Sequence, residues 1–530
     1  MENNLQPSHN YDYETLSVSP QPAVSAPPAK APLFAIPTSK KELCFGFFIL
    51  LAGWLMLNSI FFGGGFQLGF AVFAGAGLIF AVVYLLASGA KPTFYSILLF
   101  LLDLGIIASF ARSNDAAVKF VLVLFLIVTV NLGLCLMSGQ NRFSPKGLSG
   151  LLDVIRTVIF LSTGKLPAAI RGLADSSRKG GSAMKKAGAA LIGVAVALPL
   201  LCILIPLLIK ADAAFEGLLK NLPKIGAGEI LVTFLLGTPF AFWLYLRGVG
   251  LRHSPKTTAK AARERKGINT LTVNTVLIAV SVVYAVYLIS QLAYFSGGFA
   301  GVLPEEFTFA EYARRGFFEM AWICTVNLLV ICLAVGICRK TKGRAPILTR
   351  LLCLFIGLVT LFMVAAASAK MFMYIEAYGL TRKRVLTEVI MLFMGLTTLI
   401  VSIWLFVPKL PYMKMVIVIA LVLAAALSWA DVDTVVARYN VEAYQSGKLE
   451  TVDVEMLSEL GYGAVPYIAQ LRTDEDPAVA KAAREVFFQY RKWGKTSGMI
   501  DDFRDWNYAH DLADPYLLPP IQDAYTYYHN

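Results

Sequence analysis

The sequence predicts an all-α fold: a polytopic transmembrane helical bundle of about 11 spans with a small C-terminal helical domain outside the cytoplasm. Of the 530 residues, 57% are hydrophobic and only 15% are charged, whereas soluble domains have about 25% charged residues. The apolar residues also occur in runs of about 20, the length that a helix needs to cross the hydrocarbon core of a bilayer. A helix suits such runs because its backbone hydrogen bonds are all internal.

Residues 1–42 precede the first apolar run and are polar and rich in proline, serine and alanine. Such a segment cannot bury enough apolar surface to order itself. It is also too long and too polar for the first part of a signal peptide. We therefore expect a disordered cytoplasmic tail that is not cleaved.

The transmembrane domain is expected over residues 43–429. Its predicted spans are 43–62, 66–88, 93–111, 116–137, 187–209, 226–247, 272–296, 316–338, 347–369, 384–407 and 410–429. Lysine and arginine concentrate in alternate loops, and the more basic set of loops belongs in the cytoplasm. We expect a multi-pass protein of the cell membrane with a cytoplasmic N-terminus and, after an odd number of spans, an extracytoplasmic C-terminus.

The long loop after the fourth span has the pattern of a segment at the membrane surface. Residues 147–180 are amphipathic and predict interfacial helices on the cytoplasmic leaflet, and they run into the basic segment 176–186. We expect this segment to contact anionic lipid, with a protein-binding surface as the alternative. The formal net charge of +12 is spread over short loops rather than along one stripe, which argues against a nucleic-acid partner.

Prolines interrupt two predicted spans: Pro199 and Pro206 lie in the fifth, and Pro239 lies in the sixth. Proline removes a backbone donor and kinks a helix. Broken helices line binding cavities in some transporters, whereas more often a membrane proline serves packing alone. Both interpretations stay open at this point.

The composition changes at about residue 430. Residues 430–530 contain 17 acidic and 9 basic residues, and the segments 452–460, 464–471 and 474–490 have helical periodicity. The third segment has an acidic first turn and Pro477 near its start, as is typical of a helix N-terminus. We expect an acidic helical domain built on a HEAT-like hairpin, with a packed aromatic tail.

Two charged helix entrances, 308–319 and 374–388, form the candidate polar centre. Thr308 and Thr381 can cap these helices, and glutamate and arginine four residues apart can pair along each helix. In the expected topology, both entrances lie at the outer surface. The candidate outer polar cluster comprises Asp212, Glu311, Arg314, Arg315, Glu319, Glu376, Arg382, Arg384 and Glu388.

The arginines of this cluster go against two tendencies. They lie on the outer side, against the positive-inside tendency, and at helix N-termini, where the helix dipole favours anions. We therefore expect an anionic counterpart close by. It is either the neighbouring carboxylates and lipid phosphates, acting as a structural clamp, or the acidic C-terminal domain docked on this face, or an external anionic ligand.

Ionisable residues deep in the membrane mark transport or proton pathways, and the sequence has few of them. The candidate intramembrane polar residues are Asp103 in the third span, Asn131 in the fourth as its candidate partner, and Asn327 in the eighth. A single deep carboxylate gives weak support to transport, although a neutral substrate needs no more.

The sequence carries no catalytic signature. Its four histidines are dispersed, and it has no phosphate-binding loop, metalloprotease motif or nucleophile elbow. The seven cysteines lie in or beside apolar runs and lack metal-ligand spacing. We therefore expect no catalytic residue, no metal site and no cofactor.

Several charged motifs resemble a known family. They are Ala211-Asp-Ala-Ala-Phe215, Glu311-Tyr-Ala-Arg-Arg-Gly-Phe-Phe-Glu319, Tyr378-Gly-Leu-Thr-Arg-Lys-Arg384, Asp431-Val-Asp-Thr-Val-Val-Ala-Arg-Tyr-Asn440, Leu457-Ser-Glu-Leu460 and Ala464-Val-Pro466. Over residues 190–470 the chain resembles the bacterial membrane proteins catalogued as domain of unknown function 4173. The resemblance implies a polytopic membrane protein and no defined activity, so no catalytic residue is carried over.

Three functions remain open. The first is a non-enzymatic sensing, scaffolding or regulatory role in the bacterial cell envelope, with an envelope or signalling protein as partner. The second is a transporter or flippase-like protein, and the third is an envelope enzyme acting on a lipid-linked phosphate substrate. A closed ion-pair network beneath the C-terminal domain favours the first, and deep paired charges favour the second. An outer cavity with Arg315, Arg384 and a carboxylate favours the third.

Overall fold

The computed structural model describes residues 40–112, 115–139, 204, 229, 232–253, 267–299, 317–339, 344–496 and 503–517. Across these residues it contains fifteen α-helices and no β-strand, which confirms the predicted all-α fold. Outside this part of the chain lie residues 1–39 of the predicted N-terminal tail, the interfacial helices and basic segment at 147–186, the fifth span apart from Leu204, Asp212 and the helix entrance at 308–316.

Ten apolar helices form the described part of the bundle. They are α1 (Lys40–Phe62), α2 (Leu68–Ala87), α3 (Phe94–Ser109), α4 (Ala116–Ser138), α5 (Thr238–His253), α6 (Thr270–Phe299), α7 (Phe317–Ile337), α8 (Ile347–Tyr378), α9 (Arg382–Phe406) and α10 (Tyr412–Ala430). Nine spans in this part of the chain are long and apolar enough to cross a membrane, and α3 is shorter, with 16 residues. The chain is therefore a multi-pass membrane protein, as predicted.

The membrane helices pack in two groups that α10 joins. Helices α1–α5 surround a core that includes Leu99 and Leu122, and α6–α9 surround a core that includes Ile331 and Ile356. Helix α10 packs against α3 on one side and α9 on the other. Large apolar side chains such as Val283 also cover the outside of the bundle, as expected of helices that face lipid.

The turn 63–67, residues 110–112 and 115 between α3 and α4, and the turn 379–381 lie at one face of the bundle, together with the end of α10. We call it the docking face because the C-terminal domain contacts each of these turns. The opposite face holds the start of α1 and the ends of α2 and α5. There the Lys41 Nζ donates to the Ala87 carbonyl at 2.7 Å, and Arg252 pairs with Glu42.

The C-terminal domain consists of five short helices beside the docking face. They are α11 (Val432–Gln445), α12 (Val454–Ser458), α13 (Val465–Gln470), α14 (Pro477–Thr496) and α15 (Tyr508–Leu517). Asp453 caps α12 by accepting a hydrogen bond from the Met456 N–H at 2.9 Å. The helices surround a separate apolar core that includes Val436, Leu457 and Ile468.

Pro239, the second residue of α5, follows a π-helical turn at Thr233–Gly237. A proline inside a helix has no N–H to donate, and its ring collides with the carbonyl four residues earlier. The wider π turn relieves this misfit. The predicted interruption of this span is therefore a local change of helix type.

Candidate functional site

Arg382 lies at the centre of the contact between the bundle and the C-terminal domain. It is the first residue of α9, a helix that Thr381 caps by accepting a hydrogen bond from the Arg384 N–H at 3.3 Å. The Arg382 Nε donates to the Asp433 Oδ1 of α11 at 2.8 Å. The same Nε lies 3.0 Å from the Asp115 Oδ2. One arginine therefore joins α9, α11 and the turn before α4.

Asp115 both caps a membrane helix and faces Arg382. Its Oδ1 accepts hydrogen bonds from the N–H groups of Ala117 and Val118 at 2.9 and 3.1 Å, which caps α4. Its side chain is only 2% exposed. A carboxylate so far removed from water depends on its charged and hydrogen-bonded partners.

Lys119, one turn further into α4, is buried at 4% exposure. Its Nζ donates to the Phe66 carbonyl at 2.5 Å and to the Gln67 Oε1 at 2.8 Å. The carboxylates of Asp115 and Asp431 also interact with its charge. This lysine therefore connects α4 to the turn between α1 and α2 beneath the C-terminal domain.

Asp431 connects the last membrane helix to the C-terminal domain. Its φ of +52° lies in the left-handed region, which aspartate tolerates better than most residues. The Thr434 hydroxyl donates to the Asp431 Oδ2 at 2.6 Å. This bond holds the turn that redirects the chain from α10 into α11.

Asn440 of α11 binds the turn between α8 and α9. Its Nδ2 donates to the Leu380 carbonyl at 2.7 Å, and its Oδ1 accepts from the Leu380 N–H at 2.8 Å. The preceding Gly379 has a φ of +75°, and a Cβ there would collide with the Asn440 Oδ1. This close approach requires glycine.

A second contact between the bundle and the domain comes from residues 503–510, which we call the docking arm. The Tyr508 N–H donates to the Ala111 carbonyl at 2.9 Å. The Asn507 Nδ2 donates to the Gln67 Oε1 at 2.7 Å. Gln67 accepts from Lys119 as well, so the arm and the buried lysine share one acceptor.

Arg504 of the docking arm reaches a polar group inside the bundle. Its Nη1 donates to the Asn58 Oδ1 of α1 and lies 3.4 Å from the Glu229 Oε1. The Asn58 Nδ2 donates to Glu229 and to the Thr233 Oγ1, each at 3.0 Å. Thr233 begins the π turn, so this network links the arm to the irregular part of the sixth predicted span.

The turn Gly63-Gly-Gly65 receives the docking arm. A Cβ at Gly63 would lie 2.8 Å from the Arg504 Cβ, and a Cβ at Gly64 would lie 2.6 Å from the Asp505 Oδ1. The structure gives the reason for the absence of side chains in this turn. The arm packs directly on the glycine backbone.

Two carboxyl groups and one imidazole in the C-terminal domain and its connection to α10 have shifted pKa values. Burial raises the pKa of Asp433 to about 7, and the neighbouring Arg382 opposes this shift. Burial also raises the pKa of Asp431. It lowers the pKa of His510. We call the contact between the bundle and the C-terminal domain, centred on Arg382, Asp115 and Asp433, the junction. The junction and the domain beside it therefore contain groups whose charge depends on pH.

Arg384 has different partners from Arg382, although both belong to the first turn of α9. Its Nη1 donates to the carbonyls of Tyr378, at 2.9 Å, and Gly379. Its guanidinium lies 4.1 Å from the centre of the Tyr374 ring. It therefore stabilises the C-terminal end of α8, where free carbonyls attract a cation.

Of the carboxylates in the candidate outer polar cluster, the two whose side chains the structure describes, Glu376 and Glu388, do not pair with Arg382. Glu388 bonds to Ser368 of α8, whereas the sequence suggested a pair with Arg384. Glu376 is exposed. Glu319 belongs to α7, with its side chain outside the described part. Asp212, Glu311, Arg314 and Arg315 lie outside the described residues.

The candidate intramembrane polar residues form separate local contacts. The Thr129 hydroxyl donates to the Asp103 Oδ1 at 2.6 Å, and Asn131 donates to the Ile127 carbonyl of its own helix. Thr129, rather than Asn131, is therefore the hydrogen-bond partner observed for Asp103. In the other helix group, the Asn327 Nδ2 donates to the Thr360 Oγ1 at 2.9 Å, and Tyr284 donates to the Asn327 Oδ1.

Several residues of this contact are not among the site residues predicted from the sequence: Asp115, Lys119, Asp431, Asp433 and Asn440. Two carried a usable signal, because Asp115 precedes an apolar run as an N-cap and Lys119 is a charge inside that run. The other three belong to the motif that begins at Asp431. No group of histidine, cysteine, aspartate and glutamate in the described residues could hold a metal ion.

The bundle and its docked domain define the class: a polytopic helical membrane protein with a C-terminal domain. Residues 50–471 match the model of the family described as Domain of unknown function (DUF4153), and the chain belongs to that family. The resemblance to domain of unknown function 4173 is therefore wrong. The matched range also includes most of α1 and all of α2–α4, whereas the motifs that suggested the other family begin only at Ala211. No curated protein and no solved structure matches the chain.

Proposed function

We propose that the protein is a non-enzymatic sensing, scaffolding or regulatory component of the bacterial cell envelope. Its C-terminal domain receives the signal or partner, and the junction transmits the domain's position to the membrane helices. The observation that carries this proposal is the position of Arg382 between Asp115 and Asp433. A closed ion-pair network beneath the domain is the arrangement that favours this role over the other two.

The chemistry of the junction supports a coupling role rather than catalysis. The side chains of Asp115 and Asp433 are 2% and 5% exposed, and the Arg382 guanidinium forms ion pairs with both carboxylates. A catalytic arginine needs an open site in which substrate oxygens can accept its hydrogen bonds. Of the two arginines expected in the enzyme site, Arg315 lies outside the described residues, and Arg384 donates to carbonyls of its own turn.

We further propose that the docking face lies outside the cytoplasm. Basic residues at the opposite face, including Lys91 and Arg339, support this orientation. The test uses a cysteine-free chain with Phe488→Cys in the domain or Arg344→Cys at the opposite face. A membrane-impermeant thiol reagent added to intact cells should label only the cysteine at position 488. The reverse pattern would contradict the orientation.

A genetic comparison tests the function. The first step is to find a growth condition, such as envelope stress, in which deletion of the protein has a phenotype. Arg382→Ala should reproduce that phenotype while the protein accumulates normally. The matched control is Arg438→Ala, which breaks an exposed pair with Glu442 in the C-terminal domain and should behave as wild type.

Transport is the second candidate function, and the buried Asp103–Thr129 pair is the observation that favours it. Under this alternative, Asp103→Asn should reproduce the deletion phenotype at normal accumulation while Arg382→Ala has no effect. The proposed regulatory role predicts that Arg382→Ala reproduces the deletion phenotype and that Asp103→Asn has no effect. The same growth assay therefore separates the two functions.

A further inference from the structure

Asp103 is a buried carboxyl of the first helix group that the proposed function does not use. It belongs to α3 and is 1% exposed. The Thr129 hydroxyl of α4 donates to its Oδ1 at 2.6 Å, and no lysine or arginine of the described residues pairs with it. Burying a carboxylate without a cation costs far more than burying the neutral acid. The surroundings of Asp103 therefore favour a carboxyl that carries a proton.

A small cavity of about 10 Å³ lies beside this carboxyl. Asp103 and Ser96 are its polar residues, and apolar residues and a glycine of α2, α3 and α4 form the rest of its wall. This volume is about the least that holds one water molecule. The cavity therefore has room for a proton with one water to carry it, and for no larger solute.

The small cavity extends from Asp103 towards the face opposite the C-terminal domain. Ser96, in the first turn of α3, is seven residues from Asp103, so both lie on one side of the helix, about 10 Å apart along its axis. A larger cavity of about 210 Å³ opens at that face. Met137 of α4 lines both cavities, so its side chain lies between them. Because methionine is unbranched and flexible, this side chain can move aside and connect the two.

Towards the docking face, the described residues of the same helices are closely packed. Ile106 and Phe110, near the end of α3, and Leu122 of α4 are buried in the apolar core of this helix group. Side chains in such a core interdigitate and leave few voids as large as a water molecule. In the part of the chain that the structure describes, water therefore reaches Asp103 from the opposite face.

Other titratable groups on this side of α3 lie closer to the opposite face. The Tyr95 phenol, in the first turn of α3, interacts with the charge of Asp103. Lys414 of α10, which also packs against α3, lies 4.8 Å from the centre of the Tyr95 ring. From α2 and α4 the cavity receives apolar residues and a glycine. Tyr95 is eight residues from Asp103, so neither this phenol nor the lysine above it neutralises the carboxyl.

We propose that Asp103 is a proton-binding site inside the membrane that exchanges its proton with water at the opposite face. The proton passes between the carboxyl and one water in the small cavity, and that water reaches the larger cavity past Met137. Thr129 holds the carboxyl in place by donating to its Oδ1. The small cavity has no room for a larger substrate at Asp103, so the site is one for a proton whether the protein regulates or transports.

The test is infrared spectroscopy of the full chain in nanodiscs. A protonated carboxylic acid has a carbonyl stretching band at higher frequency than carboxylates and amides. At mildly acidic pH the wild type should have such a band that Asp103→Asn lacks, and the band should fall about 10-fold for each pH unit above its midpoint. In D₂O it should shift to lower frequency, because the O–H becomes O–D. Absence of this band, or a band that D₂O leaves unshifted, would overturn the proposal.

Variants of Met137 test the route that water takes. Met137→Ile keeps a similar volume but has a stiffer side chain, so it should slow the shift in D₂O, whereas Met137→Ala should speed it. The control is Met363→Ala in α8, a buried methionine that lines neither cavity. This control should exchange at the wild-type rate. If both Met137 variants also exchange at that rate, the proposed route is wrong.

Asp103→Asn keeps the shape of the side chain, but its folding must be checked. If it does not fold, Thr129→Val identifies the band instead. Loss of the hydrogen bond to the Asp103 Oδ1 should raise the frequency of this band and leave the bands of Asp431 and Asp433 unchanged. A band with the same frequency in Thr129→Val and the wild type would assign the proton to another carboxyl and contradict the proposal. None of these readouts depends on the growth phenotype that tests the proposed function.

Discussion

The side-chain amide of Asn440 hydrogen-bonds to both the N–H and the carbonyl of Leu380, at 2.8 and 2.7 Å. The first residue belongs to the C-terminal domain, and the second belongs to the turn between two membrane helices. An amide side chain thus supplies the donor and acceptor that a neighbouring backbone would supply in a sheet. Two residues after Leu380, at the start of α9, Arg382 forms the ion pairs with Asp115 and Asp433.

Asn440→Ala should weaken docking of the domain by about 1–3 kcal/mol, because it leaves the N–H and the carbonyl of the half-buried Leu380 without these partners. Asn440 is itself only 3% exposed. The measurement is the rate at which a protease cleaves the domain from the membrane part in sealed, correctly oriented vesicles. Asn440→Asp is the matched comparison, since it keeps one acceptor but loses the donor. Cleavage of Asn440→Ala at the wild-type rate would contradict the role of this contact.

Arg382→Ala should destabilise the docked state by about 2–3 kcal/mol. Removing one partner from a buried pair leaves uncompensated charge, and here two carboxylates lose their cation. The effect is smaller than for a fully buried pair because Arg382 is 31% exposed. Thermal unfolding of the purified protein checks the value. Arg382→Lys keeps the charge without the planar guanidinium group, so its unfolding midpoint should lie between those of the wild type and Arg382→Ala.

Docking should become stronger as the pH falls from about 7 towards 4. The pKa of Asp433 is raised by burial to about 7 in the docked state, so the docked form binds its proton more tightly than an exposed carboxyl does. Stability is therefore gained as the pH falls through the docked pKa, and the gain is complete below the ordinary value of 3.8. The charged groups that interact with this carboxyl are Arg382, Asp115, Asp431 and the Tyr490 phenol.

The check is the thermal midpoint as a function of pH for the wild type and Asp433→Asn. In Asp433→Asn the thermal midpoint should rise less as the pH falls, because an amide does not titrate. His510 has the opposite effect, since burial lowers its pKa and protonation disfavours the docked state. The comparison is therefore repeated in a His510→Gln background. An unchanged pH profile in Asp433→Asn would show that another group is responsible.

The sequence predicted the bundle well because membrane thickness sets the length of each apolar run. It could not predict the partner of Arg382, because Asp433 is 51 residues away and composition does not tell which of many acidic residues docks. The spacing of Arg384 and Glu388, four residues apart, predicted an ion pair between them. In the structure Arg384 instead donates to carbonyls at the C-terminal end of α8. The motif that begins at Asp431 contained the docking residues, but nothing in the sequence indicated what they contact.

The docking arm should depend on Arg504, which connects it to Asn58 and Glu229. Arg504→Ala removes charge-assisted hydrogen bonds at a position that the glycine turn holds close, and we expect a loss of about 1–2 kcal/mol in arm docking. The measurement is chymotrypsin cleavage near Trp506 in oriented vesicles, which should become faster. Arg472→Ala, which removes a stacking contact to Phe487 inside the domain, is the control and should leave arm cleavage unchanged. If both variants are cleaved at the same rate, general loosening of the domain explains the result and the arm is not held by Arg504.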